Sequence, residues 1–335
     1  MRIINFKKQI NIIASGTAAG RMECEGRLGE IFDCIDKSDR FGMDTWEKSE
    51  SEMQRRALDH AIKRSGYVKE QIDALYAGDL LNQCVGSSFG LVSFGIPFFG
   101  IYGACSTLGE GMMLASLMIE SGGGSVCACS CSSHNCSAER QFRFPLEYGG
   151  QRPPTAQWTV TGAAAHILSC ERAGMAKIKS ALVGVAIDSG VADANNMGAA
   201  MAPAAADTLI RFFSETRQSP EEYDLILTGD LGYEGSSILH TLTKDRGLDI
   251  SSVHDDCGMI IFDRERQDVH SGGSGCGCSG IVFGSYILPK LASGELSSVL
   301  LIPTGALMNP ASIQQGQSIL GIAHLLNISS CGKEV

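Results

Sequence analysis

At 335 residues, with 44% hydrophobic residues, 19% charged residues and 40 glycines, the chain is too apolar to be disordered and long enough for two domains or one domain of two similar halves. A formal net charge of −10 with no arginine- or lysine-rich stripe argues against a nucleic-acid partner. Thirteen cysteines, an odd count in apolar surroundings with no signal peptide ahead of them, predict buried thiols in a reducing compartment and no disulfides.

The apolar stretch at 10–14 follows Lys7 and Lys8 but contains Asn11 and is too short for a secretory segment. A helix is predicted over 53–64, followed by an apolar strand that closes in Gly78-Asp79. Residues 80–109 carry one stretch tempting as a membrane span, yet Asn82, Gln83, Pro97 and several glycines break it into a helix, a strand and a turn. The strand at 99–103 leads through a small-residue turn holding Cys105 into a helix over 107–121, then a strand at 125–130. A thiol at a helix start feels the positive end of the helix dipole, which lowers its pKa and favours bound anions; the competing reading is a cysteine that merely fills a strand–helix corner.

Cys127, Cys129 and Cys131 alternate and so share one strand face, with Cys136 close behind. Their spacing is not the paired Cys-x-x-Cys of a zinc site, and a flat strand face does not wrap a tetrahedral ion, so no metal is expected. His134 lies in a polar loop at that strand's C-terminal end, where open α/β sheets gather ligand groups. His166 reads as a core residue, and His324 as equally suited to core or site. The glycine-rich run with Cys276 and Cys278 lacks the strand, helix and acidic residue of a dinucleotide site.

Two stretches then repeat earlier ones. Residues 65–79 match 216–230 at a shift of 151, with Glu70/Glu221, Asp73/Asp224, Gly78/Gly229 and Asp79/Asp230 identical. Ala104-Cys105-Ser106 matches Gly277-Cys278-Ser279 at a shift of 173, and Ser125-Val126 matches Ser298-Val299 at the same shift. Alternating strands and helices predict parallel sheets covered by helices, in an N-terminal half of residues 1–178 and a C-terminal half of 179–335.

The GACS turn, the two halves and the late glycine-rich turn resemble thiolases and ketoacyl synthases, which implies a five-layered αβαβα thiolase-like fold. AGDLLNQ (77–83), GACST (103–107), SSHN (132–135), the long motif at 139–162, HDDCG (254–258) and GGSGCGCS (272–279) resemble more closely the stage V sporulation protein AD family. That resemblance implies a protein of spore-forming bacteria that binds dipicolinic acid and supports its uptake into the developing spore, and so spore resistance and germination. It further implies a peripheral location at the cytoplasmic face of the forespore inner membrane, beside membrane proteins of the same SpoVA operon, and a homodimer formed around 97–102.

Condensing enzymes place polar catalytic groups where this chain has Thr228-Gly229-Asp230-Leu231 and Gly272-Gly273-Ser274; neither Gly229 nor Gly273 can titrate, so binding without turnover is expected. Cys105 and His134 would meet the dianion, Arg143 would pair with a carboxylate, and Asp79 would accept hydrogen bonds or hold calcium that accompanies the ligand. No other cofactor is expected. The alternative is an acyl-transferring enzyme with Cys105 acylated and His134 as base.

Overall fold

A computed structural model describes residues 2–142 and 152–331. In chain order the principal elements of the first half are β1 (Ile4–Ala19), α1 (Trp46–Ser65), β2 (Ala74–Asp79), α2 (Val85–Leu91), β3 (Phe98–Gly100), α3 (Thr107–Ser121), β4 (Val126–Ser133), α4 (Asn135–Phe142) and β5 (Gly162–Ser169). The second half contributes β6 (Ala176–Leu182), α5 (Met197–Thr216), β7 (Leu225–Thr228), α6 (Gly232–Lys244), β8 (His254–Asp256), α7 (Cys257–Ile261), α8 (Cys276–Val282), β9 (Ser298–Ile302) and β10 (Leu325–Ser330).

Local chemistry sets the helix ends. At α1 the Thr45 hydroxyl accepts the Lys48 N–H, Glu47 lies in the first turn, Lys63 and Arg64 lie in the last, and Gly66 leaves the helix at φ +71°. Met53, Ala57, Leu58, Ala61 and Ile62 then line one buried face at helical spacing.

The strands form one eleven-stranded sheet in the order β8-β7-β9-β10-β6-β1-β5-β4-β2-β3, with Cys34–Ile35 added beside β1. Each side of the β1–β6 junction mirrors the other. β3, β2 and β4 are parallel, as are β8, β7 and β9, whereas β5 and β10 run antiparallel to β4 and β9. The sheet is therefore mixed rather than parallel. Helical crossovers impose parallel pairing within β3-β2-β4 and within β8-β7-β9, whereas β1 and β6 meet their neighbours antiparallel.

Alternation along each strand divides the core. Leu75, Ala77, Val126, Ala128 and Ile167 face α1, and Ile226, Leu300, Ile302 and Leu325 face α5. Tyr76, Cys127, Cys129, Cys131, Leu227, Val299, Leu301 and Leu326 all point into a central core shared with Leu108 and Met112 of α3 and Ile281 and Val282 of α8. Helix, sheet, paired helices, sheet, helix is the five-layered thiolase-like arrangement. The expected boundary at 178/179 falls inside β6, after the chain has crossed over β1 at Gly174; a Cβ there would stand 2.4 Å from the Ile12 carbonyl oxygen.

All thirteen cysteines are free, and among the described residues no three His, Cys, Asp or Glu side chains gather as a metal site. No helix among them is long and apolar enough to cross a membrane.

Candidate functional site

Cys105 sits in the 3-10 turn Ala104–Ser106 that opens α3, and Ala104 before it holds φ +50°, a left-handed conformation that costs a non-glycine residue about 1 kcal/mol or more. The thiol is only 5% exposed. Its Sγ lies 3.9 Å from the Ser274 hydroxyl, which bonds Asp230 Oδ2 at 3.1 Å; the same oxygen accepts the Gly275 N–H at 2.9 Å, and Oδ1 accepts the Thr304 hydroxyl at 2.8 Å. Burial first, then the Asp230 charge and the thiol's hydrogen bond toward it, push the Cys105 pKa well above its ordinary value. Burial raises Asp230 as well, against the donors that stabilise its charge. The lowered thiol pKa expected from the helix dipole is thus overturned, because a partial charge at one helix end is outweighed by desolvation and a neighbouring full charge.

The structure brings together at Cys105 the two segments that align with condensing-enzyme positions. Gly229 has no room for a side chain, since a Cβ would lie 2.9 Å from Pro303 Cα and Thr304 N. Its neighbour Asp230 faces the thiol instead, as does Ser274 beside Gly273. A titratable group therefore survives here, which the focus on the two glycines missed; the signal was present in the repeated Gly-Asp strand end. In the first copy, Asp79 accepts the Leu81 N–H, the Ser87 N–H and the Ser87 hydroxyl, fully buried beside Glu50. It lines neither cavity described below.

A narrow cavity of about 40 Å3, open to little more than a few water molecules, lies against Cys105 and is walled by Leu80, Tyr102, Phe142, Met197 and Met308 among others. Glu139 is at its rim, and among the described residues no Lys, Arg or His contributes to its lining. His134 does not reach it. The imidazole is fully buried, with Nδ1 accepting the Cys136 N–H at 3.2 Å, which fixes the proton on Nε2, where it is donated to the Asp39 carbonyl at 2.8 Å. Burial lowers its pKa, so it supplies neither a base to Cys105 nor a positive charge. Its ring centroid lies 5.3 Å from that of Trp46.

Across α4 from Cys105 is a second cleft, of about 360 Å3, lined by Trp46, Asn135, Cys136, Glu139, Arg140, Arg152 and Trp158. Arg140 pairs with Glu47. Arg152 lies 4.9 Å from the Trp158 ring and holds Asp268 through Nη2 at 3.0 Å, while its Nη1 is buried with no hydrogen-bond partner among the described residues. Arg140, Arg152 and Trp158 stand among the aromatics of the long motif at 139–162, more than an ordinary surface loop requires, but nothing local in the sequence shows that Trp46 of α1 comes to face them. Arg143, the expected carboxylate partner, lies outside the described residues. His166 is a core residue, edge-on to Phe283 with its pKa lowered to about 4 by burial, and His324 accepts the Gly184 N–H.

A family model for stage V sporulation protein AD matches residues 1–329. The chain belongs to the SpoVAD family. It is 43% identical over 319 residues to stage V sporulation protein AD of Bacillus subtilis (strain 168), covering 95% of this chain and 94% of that one. Among solved structures it is similar to an acetyl-CoA acetyltransferase from Syntrophomonas wolfei (TM-score 0.60, 10% identity, 98% of this chain and 100% of that one). It is likewise similar to Xanthomonas campestris OleA bound with cerulenin (TM-score 0.57, 17% identity, 98% and 97%). At such identities these likenesses speak for the fold alone, and the fold is that of thiolases and ketoacyl synthases. The Cys105 turn of this SpoVAD-family chain thus keeps the architecture of that fold while its thiol is held protonated.

Proposed function

We propose that this SpoVAD-family chain binds dipicolinic acid, an aromatic dicarboxylate, during sporulation and does not turn it over. The observation that carries the reading is the cleft walled by the indoles of Trp46, on which Arg40 already stacks 3.3 Å from the ring centroid, and Trp158, with Arg140 and Arg152 as planar donors to carboxylates. Its Glu139 wall is shared with the Cys105 cavity, so ligand contacts made across α4 would be felt at both. Cys105 itself faces the Asp230 carboxylate, so its contribution to binding a dianion is smaller than that of the arginines. His134 acts by holding Trp46, and calcium, if it accompanies the ligand, reaches it from solvent rather than from the enclosed Asp79.

Acyl transfer would require a thiolate beside the buried Asp230 charge, which the burial of the thiol and the repulsion of that neighbouring carboxylate both oppose. Calorimetry with dipicolinic acid, with and without calcium, tests the binding; intact mass after incubation with acyl-coenzyme A tests the chemistry. Absence of binding would sink the reading, and a thioester on Cys105 that forms and turns over would replace it with the enzyme. We place the protein at the forespore inner membrane, held there by other SpoVA-operon proteins, and as a homodimer across the β3 edge, where Phe89, Val92, Phe98 and Phe99 are exposed.

A further inference from the structure

The junction of the two half-sheets is not a continuous ladder. β1 pairs with β6 at Ile4↔Ala181 and Asn5↔Ser180, then only again at Ile10↔Ile178. Phe6, Lys7, Lys8 and Gln9 thus stand opposite Lys179 alone, and β10 also skips Lys179, pairing Asn327 with Ser180 and Ile328 with Ile178. The gap is built rather than frayed. The N–H groups of Lys7 and Lys8, lost to the ladder, are held by the Glu120 carboxylate of α3 at 2.9–3.1 Å, and Lys8 Nζ bonds the Ile119 carbonyl at 2.6 Å.

A cleft of about 710 Å3 opens at this gap, lined by Lys7, Lys8, Lys177 and Lys179 together with Ser180, Thr216, Gln218 and Asn327. Lys7, Lys177 and Lys179 make no ion pair among the described residues. Among the described residues the one carboxylate in the lining is that of Glu215, which accepts the Ile3 N–H at 3.1 Å. The chain as a whole carries −10, yet at physiological ionic strength charges beyond about 8 Å are screened, so the local lysines set the potential inside the cleft. Lysine ammoniums are compact point charges that suit tetrahedral phosphate, whereas planar carboxylates favour the arginine forks found in the other cleft. Hydroxyl and amide groups between the lysines supply neutral partners.

We propose that the lysine cleft between β1 and β6 binds clustered phosphate groups, at a site separate from the cleft assigned to the aromatic ligand. Tripolyphosphate should bind the full chain, more weakly as salt rises, and Lys7→Gln/Lys177→Gln/Lys179→Gln should weaken it roughly tenfold or more. Glu215→Gln, whose amide oxygen still accepts the Ile3 N–H, should bind severalfold more tightly, which keeps a test in hand if the triple variant does not fold. Lys37→Gln/Lys48→Gln/Lys63→Gln, which removes exposed lysines paired elsewhere, should bind as the wild type does. Co-sedimentation with phosphatidylglycerol vesicles, lost in the cleft variant, would identify a lipid headgroup as the source; tripolyphosphate binding without vesicle binding would identify a free phosphate compound. Failure to bind either, equal weakening by the control variant, or unchanged affinity in both the triple and Glu215→Gln variants would overturn the assignment.

Discussion

Arg152→Ala is the substitution that most directly probes the aromatic cleft. One guanidinium nitrogen, Nη1, is buried with no partner among the described residues, a condition that costs about 1–3 kcal/mol and that a ligand carboxylate would relieve. Nη2 remains with Asp268, so the ligand gains a donor without breaking an existing bond. A charge-assisted hydrogen bond of this kind contributes about 1.5–3 kcal/mol, and its loss should weaken dipicolinic acid binding roughly ten- to hundredfold. Stability should change little, because Asp268 is 79% exposed and a pair with such a partner contributes less than about 1 kcal/mol. Arg152→Lys should recover only part of the affinity, since an ammonium cannot serve Asp268 and a ligand in one plane. Arg266→Ala, 85% exposed and distant in role, is the control. Calorimetry on variants with unchanged melting temperature reads the effect; wild-type affinity in Arg152→Ala would refute the placement of the ligand in this cleft.

Glu50, fully buried beside Asp79, has its pKa raised to about 8, so between about pH 4.5 and 8 the folded chain binds a proton that the unfolded chain has lost. Its contribution to stability therefore falls as pH rises through that window, and Glu50→Gln should raise the melting temperature near pH 8 while changing it little near pH 5; an equal change at both would contradict this. Gly229→Ala should destabilise the fold by about 1–3 kcal/mol in denaturant titration, because its Cβ meets backbone atoms of Pro303 and Thr304; a neutral effect would mean a side chain can stand there after all. Phe89→Asp/Phe99→Asp should shift the chain from dimer to monomer in sedimentation velocity, and an unchanged sedimentation coefficient would count against pairing at the β3 edge.

The fold was legible in the sequence because duplication leaves its mark in short stretches, and Asp79, the last residue of β2, and Asp230, two residues past β7, do stand at corresponding strand ends. The alternation of Cys127, Cys129 and Cys131 likewise placed them on one face. The electrostatics of the site were not legible. A helix start can be read within a few residues, but the Asp230 carboxylate that raises the Cys105 thiol arrives from the other half of the chain. His134 shows the converse: its loop was read correctly as the end of a strand, but Asp39 and Cys136 take both ring nitrogens, and nothing local announces a partner so far upstream. The approach of Trp46 of α1 to the arginines of the long motif was hidden for the same reason.

The shared centre of the molecule has a consequence for how it comes apart. β1 gives residues 11–19 to β5 and residues 4–5 and 10–12 to β6, and the central core draws on α3 from one half and α8 from the other. Neither half owns a complete interior. Separating them would strip one sheet of its edge partner and expose both inner faces, so the halves, though copies of one plan, are bound to melt together in a single cooperative transition.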